Sequence, residues 1–146
     1  ANIVRIANLD VDKIVTVEAM GIPIGIVLSI LCDIPLVIIR KRKYGLPNEV
    51  EISQVTGYSR SQLYLNGINR GDRVIVVDDV ISTGGTLQAT LDSLELAGAE
   101  VMDTVIVVER GNGAELLRSK GYNLKTMVRV KVEGGRVSEV EPGISK

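Results

Sequence analysis

Arg73 to Thr86 reads RVIVVDDVISTGGT: branched aliphatics, two adjacent carboxylates, then a loop of hydroxyls and glycines. The unbroken run Val74, Ile75, Val76 and Val77 suits a strand buried on both faces of a parallel sheet. In open α/β sheets ligands bind beyond the C-terminal ends of the strands, and Asp78 and Asp79 stand at that end. Successive strand side chains point to opposite faces, so the two carboxylates can share a task only where the strand is ending. Beyond the loop, Leu87, Leu91, Leu94 and Leu96, with Ala89 and Ala97, carry a helical apolar pattern. The stretch therefore reads strand, loop, helix.

A glycine-rich turn into a helix offers free backbone N–H groups and the positive end of the helix dipole, and Ser82, Thr83 and Thr86 add hydroxyl donors. A P-loop would place a lysine at the helix start to reach further phosphates, and this loop has none, so the cradle fits a monophosphate. Two carboxylates beside it can accept hydrogen bonds from both hydroxyls of a vicinal diol. Together they describe a grip on a ribose 5-phosphate.

At these residues the chain resembles a known family. The string VIVVDDVISTGGT is similar to the phosphoribosyl pyrophosphate (PRPP) motif of the type I phosphoribosyltransferases. Glu18, Ala19, Met20 and Gly21 resemble that family's pyrophosphate loop. Ile38 to Pro47 (IIRKRKYGLP) resembles the strand leading into its mobile catalytic loop, and Tyr58 to Leu65 the segment returning from it. The likeness covers residues 11–131 and is nearest to archaeal hypoxanthine and adenine phosphoribosyltransferases. It implies a doubly wound, mostly parallel α/β sheet in a single domain over 1–146, with a mobile antiparallel flap and a catalytic loop at about 42–60. The hood that relatives place over the base is expected to be short or absent, because the chain starts almost directly at the first core strand.

The activity implied is purine salvage: transfer of the 5-phosphoribosyl group of PRPP to a purine base with Mg²⁺, in the cytoplasm, by a homodimer. Asp78 and Asp79 would hold the ribose hydroxyls, and Ser82, Thr83, Gly84, Gly85 and Thr86 the 5-phosphate. Glu18, Ala19, Met20 and Gly21, with Arg40 and Lys41, would hold pyrophosphate, Lys41 neutralising it. Asp79 is the choice for the acid/base role, with Asp78 and Lys41 also catalytic. Val80 would lie under the purine, and Val107, Val108 and Glu109 would meet its edge. Mg²⁺ would be held by Asp78, Asp79 and Glu18, through PRPP and water. Adenine-specific relatives tend to carry a glutamate just before the tyrosine, where this chain has Thr56, Gly57 and Tyr58, so hypoxanthine, with guanine second, is expected over adenine. The alternatives are adenine or orotate transfer, and a PRPP-sensing transcriptional regulator without catalysis. Such regulators usually add a helix-turn-helix or a basic face, and neither is visible in the sequence.

Composition agrees with a globular chain of 146 residues, 45% hydrophobic and 24% charged. A net charge of −1 gives no bulk attraction to nucleic acid or membrane, so any anion site must be local. There is no histidine, hence no imidazole base or metal ligand, and the single Cys32 excludes an internal disulfide and a zinc cluster. No stretch reaches the roughly 18 apolar residues of a membrane span. Without Trp or Phe, only four tyrosines offer an aromatic face to a base, so aliphatic stacking enters consideration.

Along the chain, residues 1–10 are of mixed polarity and 11–17 read as a central strand. Residues 22–32 are apolar nearly all round, which predicts a helix packed inside the core. A strand follows at 36–40, then the cationic run Arg40, Lys41, Arg42, Lys43, which is otherwise a solvated face. Residues 44–59 show no period and read as a long lid. Residues 61–66 read as a strand pairing through the turn at 67–72 with the central motif. Gly98 is expected to stop the motif's helix, and a further strand covers 101–108. Glu109 and Arg110 could alternatively form a surface ion pair. Asn112 is expected to cap a helix over 113–120, and a strand at 124–132 turns through Gly134 and Gly135 into 137–140.

Overall fold

The computed structural model describes residues 2–55 and 60–144. Its elements are α1 (Asn2–Ile6), β1 (Lys13–Val17), α2 (Gly21–Cys32), β2 (Leu36–Ile39), β3 (Val50–Val55) and β4 (Arg60–Leu65), followed by β5 (Arg73–Ile81), α3 (Gly85–Leu96), β6 (Glu100–Arg110), α4 (Gly113–Ser119), β7 (Leu124–Glu133) and β8 (Arg136–Pro142). The main sheet has six strands in the order β2-β1-β5-β6-β7-β8. All neighbours pair in parallel except β7 and β8. The chain winds outward from β1 to β2, then crosses back to β5 and winds the other way. That reversal puts the switch point between β1 and β5, where a crevice opens outside the strand ends.

Strand alternation divides the core into two layers. Val15, Val17, Val74 and Val76 pack with Leu87, Leu91 and Leu94 of α3 and with Ile52, Leu63 and Leu65 of the β3–β4 pair. Ile14, Ile75, Val77 and Val105 pack with Leu28 of α2 on the other side. β5, buried on both faces, is thus the central strand that its unbroken aliphatic run predicts.

Several elements differ from the sequence expectation. Residues 2–6 form a short helix, with Ile3 and Ile6 against the α2 layer. The chain after it is tied down where Asn8 N–H donates to the buried Asp103 carboxylate at 2.8 Å, a group that Lys125 also meets at 2.7 Å. Helix α2 is not enclosed: only Gly21, Gly25 and Leu28 are buried, while Ile30 and Leu31 are 76% and 62% exposed. Apolar periodicity shows that a helix is greasy all round, not whether anything covers its outer side. The expected lid contains strand β3, which pairs antiparallel with β4, so β4 pairs with β3 and not with β5. Among its described side chains Val50 and Ile52 mark the inward face, too few to show a period of two. The side chain of Asn112 makes no cap bond to α4. The β7–β8 hairpin turns as expected, Gly134 and Gly135 both taking the positive φ (57° and 78°) of a two-residue turn. Among the described residues no helix is long and apolar enough to cross a membrane.

Candidate active site

At the switch point lies a cavity of about 570 Å³ lined by Glu18, Met20, Lys41, Asp78, Asp79 and Thr86, among others. These residues come from the ends of β1, β2 and β5 and the start of α3. Glu18 ties two of them together: its Oε2 accepts the Lys41 backbone N–H at 2.8 Å, so the loop after β1 fixes where the chain leaves β2. The Glu18–Ala19 peptide is cis. Gly21 then passes so close to β5 that a Cβ there would stand 2.5 Å from Asp78 Oδ1 and also against Thr16 Oγ1. Thr16 is fully buried, and among the described residues its hydroxyl has no hydrogen-bond partner. The sequence did not single it out, because a threonine inside an aliphatic strand carries no motif.

The acid pair does not sit where β5 stops. The ladder continues through Asp78↔Ile106 and Val80↔Val108 to Ile81↔Glu109. Both carboxylates nevertheless face the same cavity. Asp79 N–H donates to Asp78 Oδ1 at 2.9 Å. Burial pushes the Asp78 carboxyl up to about 7, with the neighbouring Asp79 carboxyl adding to the rise against that one hydrogen bond. Asp78 is therefore poised between charged and neutral near physiological pH.

Asp78 and Thr86 also line a second cavity of about 340 Å³, the cradle formed by Ser82, Thr83, Gly84, Gly85 and Thr86. Gly84 takes the left-handed conformation (φ 82°) as the residue before α3, and the helix start at Gly85, Thr86 and Leu87 lines the cavity. The turn after β6 backs this loop. Gly113 N–H donates to Ser82 carbonyl O at 2.9 Å, and a Cβ on Gly113 would lie 2.5 Å from Gly84 N. Arg110, the last residue of β6, lines the cradle as well.

Some predicted site residues are not brought in. Arg40 lines a different cavity with Tyr44, and its guanidinium stacks 5.5 Å above that ring. Its backbone bridges to Tyr64, and the alternation that sends Lys41 into the crevice sends Arg40 away from it. Glu109 is neither an open base contact nor half of a surface pair with Arg110. It is 3% exposed, receives both Nη groups of Arg118 at 3.1 and 2.8 Å and the Thr126 hydroxyl at 2.8 Å, and has Arg129 at 3.4 Å. The Arg118 and Thr126 bonds hold it below the usual carboxylate range in spite of its burial. Its acceptors are used within the fold. Val80, 44% exposed, stands beside Val108 on the neighbouring strand and fits an aliphatic wall. Among the described residues no three acidic, cysteine or histidine side chains meet closely enough to hold a metal by themselves. Asp78, Asp79 and Glu18 share a cavity without forming such a cluster, so Mg²⁺ would need substrate and water oxygens to complete its shell. The donor set fits on those terms: hard carboxylate oxygens, including a pair whose mutual repulsion a dication relieves. Thr56, Gly57 and Tyr58, which argue against adenine, lie outside the described residues.

A doubly wound sheet with an acid pair and a glycine-walled anion cradle at its switch point is built to hold a phosphorylated sugar or nucleotide. Comparison with known proteins narrows this class. The family described as phosphoribosyl transferase domain matches residues 1–140. The chain is 99% identical over 146 residues to the hypoxanthine/guanine phosphoribosyltransferase of Methanothrix soehngenii, covering all of this chain and 77% of that protein. It is 68% identical over 140 residues to the hypoxanthine/guanine phosphoribosyltransferase of Methanothrix thermoacetophila, covering 96% of this chain and 74% of the other. Among solved structures, adenine phosphoribosyltransferase from Thermoanaerobacter pseudethanolicus superposes with a TM-score of 0.74 at 25% identity, covering 82% of this chain and 71% of that one. The chain belongs to the phosphoribosyltransferase domain family, as the likeness at Val74 to Thr86 implied.

Proposed function

We infer that this chain is a purine salvage enzyme that transfers the 5-phosphoribosyl group of PRPP to hypoxanthine, with guanine as a second acceptor, releasing pyrophosphate. The observation that carries the reading is the convergence of the Glu18 loop, Lys41 and the Asp78–Asp79 pair on one crevice beside the cradle. The names of the hypoxanthine/guanine relatives favour the base expected from Thr56, Gly57 and Tyr58.

In this reading the cradle takes the 5-phosphate on backbone N–H groups and the hydroxyls of Ser82, Thr83 and Thr86. Asp78 and Asp79 accept from the ribose hydroxyls and so fix C1 over the gap between β1 and β5. The Glu18–Gly21 loop holds the diphosphate, and Lys41, set by the Glu18 bond to its own N–H, neutralises it. The bond from C1 to the diphosphate oxygen breaks, a purine ring nitrogen attaches to C1, and Asp79 takes the proton that the base gives up. Val80 and Val108 support the purine from below. Asp78, Asp79 and Glu18 would hold Mg²⁺ together with substrate and water oxygens, and the ion would supply charge neutralisation on the leaving diphosphate. The protein's own contribution is placement and charge, not covalent chemistry.

The uncovered apolar side of α2 supports a homodimer, since Ile26, Val27, Ile30 and Leu31 form a continuous exposed patch. A cytoplasmic location goes with substrates as highly charged as PRPP and a nucleotide. The test is steady-state formation of inosine and guanosine 5′-monophosphate from PRPP across a panel of bases. Binding of PRPP with no turnover for any base would make the domain a sensor, and a pyrimidine product would make it an orotate enzyme.

A further inference from the structure

The cradle presents a charge problem. A 5-phosphate carries close to two negative charges, and the loop that receives it holds no lysine; one side of the cavity is the carboxyl of Asp78. Among the described residues lining that cavity the only cation is Arg110. The surface pair with Glu109 that the sequence offers as an alternative does not form, since Glu109 pairs with Arg118 and Arg129 instead. Arg110 makes no ion pair with any described residue and is exposed. It also lines the adjoining cavity with Ser82, Arg129 and Lys131, where Arg129 is engaged with Glu109 and Lys131 with Glu133 and Glu139.

Its place is fixed by backbone packing. Gly111, at φ 69°, packs closely on the phosphate loop: a Cβ there would lie 3.1 Å from the Ser82 carbonyl O, tighter than ordinary contact. Gly113 makes the corresponding approach to Gly84, and its N–H bonds Ser82 O. The turn 111–113 is thereby locked against the phosphate loop, and Arg110 is delivered to the cradle's rim from the neighbouring strand. Arginine suits the position, because its planar fork meets phosphate oxygens in pairs and keeps its charge at any working pH.

Resting on the ribose 5-phosphate reading above, we propose that Arg110 is the charge partner of the substrate's 5-phosphate, binding PRPP and the nucleotide product at the end opposite the diphosphate.

The experiment is calorimetric binding of ribose 5-phosphate and, separately, of pyrophosphate with Mg²⁺, to the unaltered chain and to Arg110→Ala, Arg110→Gln and Arg110→Lys, with KM and kcat for PRPP. Loss of one charged hydrogen-bonding partner should weaken ribose 5-phosphate roughly tenfold or more in the Ala and Gln variants. Pyrophosphate affinity should stay unchanged, KM should rise more than kcat falls, and Lys should restore part of the loss. Equal weakening of both ligands would show Arg110 to be structural and overturn the proposal. So would unchanged ribose 5-phosphate binding in Arg110→Ala, which would leave the enzyme reading standing. Failure of the unaltered chain to bind ribose 5-phosphate would overturn both.

Discussion

Replacing Asp78 by asparagine should make the ligand-free protein more stable at pH 8 while weakening its hold on ribose. Asparagine keeps the shape of the side chain and an Oδ1 that can accept the Asp79 N–H, now at 2.9 Å. What it removes is the charge that burial disfavours. The Asp78 carboxyl is raised from 3.8 to about 7, so its contribution to stability is fully present below the lower value and is lost as pH rises through the higher one. At about 1.4 kcal/mol per unit, the ceiling on that loss is on the order of 4 kcal/mol. The new amide N–H groups need partners in the same space, which costs about 1–3 kcal/mol where they find none. A net gain of about 1–3 kcal/mol at pH 8 follows, shrinking to nothing or reversing by pH 4. For a chain of this size each kcal/mol moves the midpoint by about 2–4 °C. The assay is urea and thermal unfolding between pH 4 and 8 with chelator present, for both proteins. Parallel pH profiles, or a variant no more stable at pH 8, would refute the assignment of the buried charge to Asp78. Binding of ribose 5-phosphate should fall in the variant across the same range, separating stability from function as expected where a site holds an unfavourable group.

Gly113→Ala should raise KM for PRPP at least tenfold, because the added Cβ meets the backbone at Gly84 N (2.5 Å) and Ser82 O (2.6 Å), not a side chain that can swing aside, and overpacking of this kind costs about 1–3 kcal/mol; a KM within twofold of the unaltered enzyme would contradict it. Arg118→Ala leaves the buried Glu109 with only Thr126 and Arg129, and about 3 kcal/mol of stability should be lost at pH 7 in urea unfolding. Because Glu109 is held below 4.5, that difference should narrow as pH falls through the carboxylate range, where the pair no longer contributes in either protein. Ile30→Glu should shift the sedimentation coefficient from dimer to monomer and remove any concentration dependence of the unfolding midpoint, since Ile30 is 76% exposed in the single chain; a chain that sediments as a monomer before the change removes α2 as a dimer face.

What the sequence determined by itself was local. Strand, loop and helix at Arg73 to Thr86 and the two-glycine hairpin at Gly134 and Gly135 were readable because each rests on the conformational needs of neighbouring residues. So was the family, since VIVVDDVISTGGT is a contiguous string. The tertiary structure decided everything that depends on which strands lie side by side. The order β2-β1-β5 brings Glu18 and Lys41 to the acid pair, residues distant in the chain that no periodicity connects. The same arrangement removes Arg40 from the pyrophosphate set by one step of strand alternation, and buries Glu109 against Arg118. It leaves α2 half uncovered, because hydrophobic residues are alike in sequence whether they face a core or an empty side. RVIVVDDVISTGGT announced a ribose 5-phosphate site. Only the packing of Gly111 and Gly113 against it places Arg110 at its rim, for a close approach of two backbones is a property of the fold and leaves no pattern along either chain segment.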